Sequence, residues 1–430
     1  MHSRPQLDAA KLSRLNDLLA TILPSDMGLP RDGGSANTFY AAKLARLPHR
    51  LESLDELAEW PFTFKGELVD AAARLGRPAN LTWPTDRYVR FHQTSGTHGR
   101  PLPVFDTADD WEWWLECWRT VFARGGVGEG DRVFVASAFG PTVAFWSAFD
   151  AAVSVGAMAI PTGGVRSIAR LEMLRSLAAT VLVSTPSYCL HLAELAEERK
   201  IDLAALPVRL VIVAGEPGGS IPSTRTRIAE AYGAAVLDHA GASEVGAWGV
   251  GSPDGRALEV IEPYFHPEFL SLATGGPAGT GELAELVLTT LGRAGCPVFR
   301  YRTGDLVRPC WPTETRDGET PWVRLEGGIL GRTDDMLTIR GVNVFPGAVD
   351  DIVRSFPEVI EYRLTVSSRE SLDELSLEIE DRLENPRRVE EELRIRLGLR
   401  VAVRTVPIGS LPRFEGKGRR VIDTRQKAAP

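Results

Sequence analysis

Between residues 132 and 244 the chain alternates short β-branched runs with stretches of helical character, and few folds satisfy that alternation. The runs are "RVFVASAFG" at 132–140, "TVLVSTP" at 180–186, "RLVIVAGEPGG" at 209–219 and "AAVLDHAGASE" at 234–244. Helical stretches lie at 143–156, 166–178, 188–199 and 222–232. Parallel strands cannot be joined by a tight turn and need crossovers, so strands separated by helices predict a mostly parallel sheet with helices on its faces. The fold class is α/β.

Residues 1–85 carry helical spacing instead, with Leu12, Leu15, Leu18 and Leu19, then Leu51, Leu54 and Leu57, interrupted by Pro and Gly. They predict a helical N-terminal region of the large domain, ahead of an α/β core at 86–330. From about residue 258 strands and turns dominate, as in "ELAELVLTT" and "PVFRYRTGDLV". After the paired glycines of "LEGGILGRTDD", residues 331–430 read as a small α+β domain. It has strands at 336–340, 360–367 and 400–406 and helices at 346–355 and 387–397. In "WEWWLECW", Trp111, Trp114 and Trp118 fall on one helical face, which predicts core packing ahead of a ligand-stacking platform.

Composition excludes some functions. The 430 residues carry 49 Lys+Arg against 57 Asp+Glu, a net charge of -8, and no long basic block, which argues against a nucleic-acid or anionic-membrane partner. Cys117, Cys189, Cys296 and Cys310 stand far apart with no C-x-x-C pair, so neither a disulfide framework nor a structural zinc site is expected. The first twenty residues read as an amphipathic helix rather than a signal peptide, and no apolar run of spanning length is present. A cytoplasmic protein is the expectation.

Four segments can carry chemistry. In "TSGTHGRP", 94–101, Gly96 and Gly99 let the backbone curl so that successive N–H groups form an anion-binding concavity. Thr94, Ser95 and Thr97 add hydroxyls there, and Arg100 adds a fixed charge. "YRTGDL", 301–306, ends a strand in a Gly turn that presents Asp305, suited to gripping a ribose diol. "GRTDDMLTIRGVNVFP", 331–346, places Arg332 and Asp334 in a turn at the domain boundary. "LPRFEGKGRRVID", 411–423, sets Lys417 between two glycines, where a long cation can reach into a cleft. Each alone also reads as an ordinary turn; all four in this order point to nucleotide chemistry.

With "GASE" at 241–244, these segments resemble the adenylate-forming enzymes that activate carboxylic acids with ATP, and most closely the phenylacetate-CoA ligase family. The resemblance runs from about residue 85 to the C-terminus, and the first 80 residues carry no functional motif. It implies ATP, Mg2+ and CoA as cofactors, and a large domain with a mobile C-terminal one. It also implies an acid, expected to be aromatic, passing through acyl-AMP to a CoA thioester. Thr94, Ser95, Gly96, Thr97, Gly99 and Arg100 would wrap the β- and γ-phosphates, with Arg100 where a lysine is more usual. Glu244 would hold Mg2+, Asp305 the ribose hydroxyls, and Arg332 would lie near ribose and phosphate. Asp334 would be the hinge, and Lys417 would sit between the α-phosphate and the acyl carboxylate. Ala214, Gly215, Glu216 and Pro217 would line the adenine and acyl sites, with His239, Ala240 and Gly241 also at the nucleotide.

Two departures from the family pattern stand out. Ala240 occupies the position of the adenine-stacking aromatic, with His239 as a candidate replacement. The acyl side reads "AFGPTVAFWSAF". Phe139, Gly140, Phe145 and Trp146, with Ala214 and Ala242, would shape a compact pocket. Two alternatives stay open: transfer to a carrier-protein phosphopantetheine thiol or another nucleophile, and a non-catalytic binding protein that keeps the fold. The resemblance implies a monomer or a homodimer.

Overall fold

The computed structural model describes residues 3–23, 37–94, 100–143, 145–312, 320–339, 342–369, 372–414 and 416–425. The alternating segment builds one side of a nine-stranded sheet. Met158–Pro161, Arg132–Val135, Val181–Ser184, Leu210–Ala214 and Ala235–Ala242 lie side by side in that spatial order, all parallel. The crossovers are the helices Trp146–Ser154, Ser167–Ser176, Pro186–Glu198 and Pro222–Tyr232.

Successive residues on these strands go to opposite faces. Val133, Val135, Val181, Val183, Leu210 and Ile212 pack with Trp111, Trp114 and Trp118 of the helix Ala108–Arg124. Their neighbours Phe134, Leu182, Val211 and Val213 pack against the helices on the other side, with Tyr188 and Ile228. The tryptophan face is therefore core, as its spacing predicts. That helix starts in a capping box, Thr107 with Asp110.

Past Ala242 the sheet turns antiparallel through Gly246–Gly251, Ala257–Val260, Arg324–Glu326 and Pro309–Cys310. This extension was not foreseen, because a strand at 324 pairs with one at 257 and no local signal announces so distant a partner. Phe265–Ser271, Ala284–Thr290, Tyr301–Val307 and Gly331–Arg332 form a separate antiparallel sheet. Beyond it, Val359–Arg369 and Leu372–Asp381 pair as a hairpin, flanked in parallel by Ala402–Thr405 and Val421–Asp423. The helices Pro346–Arg354 and Pro386–Leu397 contribute Val349, Ile352, Val353, Val389 and Leu393 to this unit's own core. The chain is thus a large N-terminal α/β domain and a small C-terminal α+β domain.

The N-terminal helix Arg4–Ile22 buries Leu15, Leu18, Leu19 and Ile22 against Tyr40, Trp60 and Phe299. It is tied to the large domain by Lys11, whose Nζ lies 2.6 Å from Glu262 Oε2 with both side chains fully buried. Among the described residues no helix is long and apolar enough to cross a membrane.

Topology also says where a ligand belongs. The chain steps from Arg132–Val135 to one neighbour, Met158–Pro161, then crosses back to Val181–Ser184 on its other side and continues outward. In open α/β sheets ligands bind beyond the carboxyl ends of the strands, at such a reversal. The loops there begin at Ala136, Thr185, Gly215 and Ser243.

Candidate active site

Lys417 of the small domain arrives at those carboxyl ends. Its Cε lies 3.6 Å from where a Cβ on Gly215 would stand, and Gly215 has φ +93, a conformation that side chains resist. The backbone on both sides of the lysine is pinned to the large domain. Thr185 Oγ1 donates to the Gly416 carbonyl at 3.1 Å, and Gly418 N donates to Glu216 Oε2 at 2.7 Å. Crowding by protein pushes the Lys417 ammonium below the ordinary lysine value, while Glu216 and Asp305 pull it back up, Arg332 pushes it down and Glu244 pulls up again. The residue remains exposed to solvent overall, so the cleft stays wet around it.

Asp305 and Arg332 meet because their strands pair antiparallel with these two residues in register. Arg332 Nη1 donates to Asp305 Oδ1 at 3.0 Å, and its Nε donates to Asp334 Oδ1 at 2.9 Å. Burial pushes the Asp305 carboxyl up to about 6, against the pull of Arg332 and Lys417 and with the help of Glu244 and Asp334.

Glu244 is buried, and Lys65 Nζ lies 2.8 Å from its Oε1. The Tyr301 hydroxyl also bonds this carboxylate; burial first, then Glu244, raises that phenol well above its usual value. The Glu244 loop is held from below by Arg293, which donates to the carbonyls of Ser243 and Glu244 at 3.0 Å each. Arg293 is itself paired at 2.7 Å with Asp106, both side chains fully buried. Breaking such a pair by removing one partner leaves a bare buried charge, a loss of about 3–5 kcal/mol.

Beside these groups lies a cleft of about 680 Å3, lined in part by Lys65, Arg100, Tyr301, Gly304, Arg332 and Asp334. Lys65 lies in the region where no motif was found, at the start of the helix Lys65–Leu75. A signal did exist: a lysine in a first helical turn opposes the helix dipole, so its presence there calls for another partner. Tyr301 and Arg293 were also missed as parts of the Glu244 site.

The phosphate-loop residues Ser95, Gly96, Thr97 and Gly99 lie outside the described residues. Their two flanks do not. Thr94 is buried and closes the loop's neck, its N donating to Leu102 O and its Oγ1 accepting from Leu102 N, both at 3.0 Å. Arg100 is exposed and paired with Asp70 at 3.1 Å.

One expectation needs correction. His239 does not stand in for the aromatic replaced by Ala240. Consecutive strand residues point to opposite faces, and the His239 ring lies 4.2 Å from Trp118, with Nδ1 2.7 Å from Gly249 O. Burial pushes this imidazole down to about 4, so it is neutral, and Nδ1 is the donor to that carbonyl. Glu216, expected to line the adenine and acyl sites, turns its carboxylate to the protein's own main chain. Both oxygens are taken by main-chain amides, Ser187 N at 2.8 Å and Gly418 N at 2.7 Å. Its neighbour Pro217 is exposed, as is Gly241.

On the acyl side, Phe139, Trp146 and Phe149 form an edge-to-face group, with ring centroids 4.9 and 5.7 Å from Phe139. Trp146 Nε1 donates to Gly140 O at 3.0 Å and closes that loop. Phe145 is buried in the core instead, Ala214 and Ala240 are buried, and Ala242 is partly exposed.

The family model described as AMP-binding enzyme C-terminal domain matches residues 341–425. A phenylacetate-coenzyme A ligase of Pseudomonas putida is 32% identical over 400 residues, covering 88% of this chain and 87% of the relative. Among solved structures, 2-hydroxyisobutyryl-CoA ligase in the postadenylation state, in complex with 2-HIB-AMP, superposes with a TM-score of 0.87 at 27% identity. That match covers 97% of this chain and 89% of the other. The same ligase in complex with 2-HIB-AMP and CoA in the thioesterification state gives 0.71 at 28% identity, over 99% and 91%.

Proposed function

The chain belongs to the phenylacetate-CoA ligase family of adenylate-forming enzymes, and from that premise we propose how its residues divide the work of making an acyl-CoA thioester. The activity is an AMP-forming acid–CoA ligation that uses ATP. The observation that carries the division of labour is the docked Lys417, held over Gly215 among Glu216, Asp305 and Glu244.

In the first half-reaction a carboxylate oxygen attacks the α-phosphorus of ATP, the bond to the β-phosphoryl oxygen breaks, and pyrophosphate leaves with its electron pair. Both reactants are anions. Lys417 supplies the positive charge between them, and a preorganised charge of this kind accounts for about 10²–10³-fold in rate. Asp305 accepts hydrogen bonds from the ribose diol, and Arg332, anchored on it, faces ribose and phosphate. Lys65, Arg100 and Arg332, each now paired with a carboxylate, line the cleft and would turn to the triphosphate. In the second half-reaction a thiolate attacks the acyl carbon, the bond to the AMP oxygen breaks, and AMP departs.

Mg2+ is part of this proposal. Among the described residues no group of three or more His, Cys, Asp or Glu forms a cage, so the ion would enter with the nucleotide, which suits a cation that usually binds through one carboxylate and substrate phosphates. Glu244 would be that carboxylate, and its pairing with Lys65 supports a place for a cation there. When bound, the ion would neutralise charge developing on the leaving pyrophosphate.

Lys417 is wanted only in the first step. We place the small domain at residues 331–430, after the helical region 1–85 and the core 86–330, with Asp334 as its hinge. Gly331 and Arg332, paired with Tyr301–Val307, thus stay with the large domain while the residues after Asp334 turn. The higher TM-score to the postadenylation state agrees with an arrangement in which the lysine is docked. The acid is proposed to be compact and aromatic, supported by Phe139, Trp146 and Phe149. A reducing compartment, the cytoplasm, fits the free thiols at Cys117, Cys189, Cys296 and Cys310. ATP–pyrophosphate exchange across benzoic, aminobenzoic, hydroxybenzoic, phenylacetic and short aliphatic acids tests the acid class, with exchange expected for an aromatic acid. Exchange with aliphatic acids alone overturns that class. CoA thioester formation from the hits separates CoA from a carrier-protein acceptor.

A further inference from the structure

Resting on that functional reading, we propose that Glu216 is a positioning residue for adenylation: its carboxylate docks the Lys417 loop through Gly418 N and releases it when the small domain turns. It is not a ligand of the nucleotide.

The loop that carries Glu216 has no slack. It leaves the buried strand Leu210–Ala214 through Gly215 and bends over Glu216 and Pro217, and a residue before proline is kept out of the helical region. A Cβ on Gly218 would stand 2.6 Å from the Pro186 ring, and one on Gly219 2.5 Å from the Asp238 carboxylate. Those contacts lock the main chain just after the glutamate. One oxygen accepts from Ser187 N, in the first turn of the helix Pro186–Glu198, where amides lack partners within the helix and the dipole favours an anion. The other accepts from Gly418 N, the amide directly after Lys417.

The first bond lies within the large domain and the second crosses between domains. Only the second is broken if the residues after Asp334 rotate, so the carboxylate is held ready while its partner comes and goes. Thr185 to Gly416 O at 3.1 Å and Arg420 Nη1 to Ser187 Oγ at 2.9 Å flank this bond. Glu216 thus grips the main chain on one side of the lysine, and a shift of that amide moves the ammonium with it. A misplacement of about 1 Å suffices to cost a reaction on the order of 100-fold.

The test compares Glu216→Gln with Glu216→Asp. The glutamine must face one of the two amides with its own NH2, donor against donor. The aspartate keeps the charge at the helix start but is one methylene short of Gly418. In ATP–pyrophosphate exchange both variants should lower kcat, by about 10- to 100-fold for the glutamine and less for the aspartate, with KM for ATP within about twofold of the parent. Thioester formation from supplied acyl-adenylate should fall by less than about threefold. Amide hydrogen exchange across Gly416–Arg420 should quicken in both variants. A raised KM for ATP with kcat retained makes Glu216 a nucleotide ligand and overturns the proposal. An equal loss in both half-reactions overturns it too, as does unchanged amide exchange in the lysine loop. Absence of pyrophosphate exchange in the unmodified enzyme would instead overturn the functional reading, and the amide exchange would still decide the docking.

Discussion

At the lysine end of the cleft, the bonds that place the functional group run between domains. Gly416 and Gly418 are held by Thr185 and Glu216, and farther out Arg413 reaches Glu194 at 2.9 Å, Arg382 reaches Glu197 at 2.6 Å, and Ser223 reaches Asp351 at 2.7 Å. At the carboxylate end, Glu244 is held wholly within the large domain by Arg293, Tyr301 and Lys65. The first end is assembled from bonds that break together if the domain turns. The second stays assembled throughout. One cleft can therefore change its chemistry between half-reactions by moving a single cation, without dismantling the nucleotide site.

The sharpest way to expose this difference is Lys417→Ala. Pyrophosphate exchange should fall by about 10²–10³-fold while thioester formation from supplied acyl-adenylate stays within a few-fold, measured as two separate half-reactions. Equal losses would erase the distinction between the two ends. Next in size, Lys65→Ala should raise KM for ATP by about tenfold, the loss expected from one charge-assisted contact. Because this lysine belongs to the static end, the loss should be the same in variants that loosen the domain contacts.

Acid pH should act on the static end as well. Asp305 faces Arg332, Lys417, Glu244 and Asp334, and its carboxyl is pushed up to about 6. It takes up a proton as the pH falls through that value and then loses acceptor capacity for the ribose diol. kcat/KM for ATP should decline below about pH 6, well before ordinary carboxylates titrate, and Asp305→Asn should remove that limb while lowering the plateau. The smallest effect is expected from Glu194→Gln. Its pair with Arg413 is only partly buried, so exchange should slow by less than about fivefold and thioester formation should not slow at all.

The parts of the molecule that could be read from the chain are those whose information is local. The strand–helix alternation at 132–244 announced the parallel half of the large sheet, and Trp111, Trp114 and Trp118 announced their buried face. Asp305 and Arg332 stood out as turn residues, although only the antiparallel register brings them together. The antiparallel extension escaped notice because "GAWGVG" at 246–251 has little strand character, and its neighbours come from far along the chain. In the small domain, the second hairpin strand was legible in principle: Leu375, Leu377 and Ile379 alternate with polar residues and point inward. His239 and Glu216 sit where their motifs put them, yet with partners that the motifs do not announce. A motif gives the neighbourhood of a side chain but not which face of the strand it leaves, nor whether main-chain amides already claim it.

The measurement that tests the central claim most directly follows the substrate oxygens. An acid with both carboxylate oxygens in heavy isotope is turned over once with ATP and CoA, and AMP, pyrophosphate and thioester are weighed by mass spectrometry. Attack on the α-phosphorus predicts one heavy oxygen in AMP, one in the thioester carbonyl and none in pyrophosphate. Heavy oxygen in inorganic phosphate, with ADP as the co-product, would contradict it.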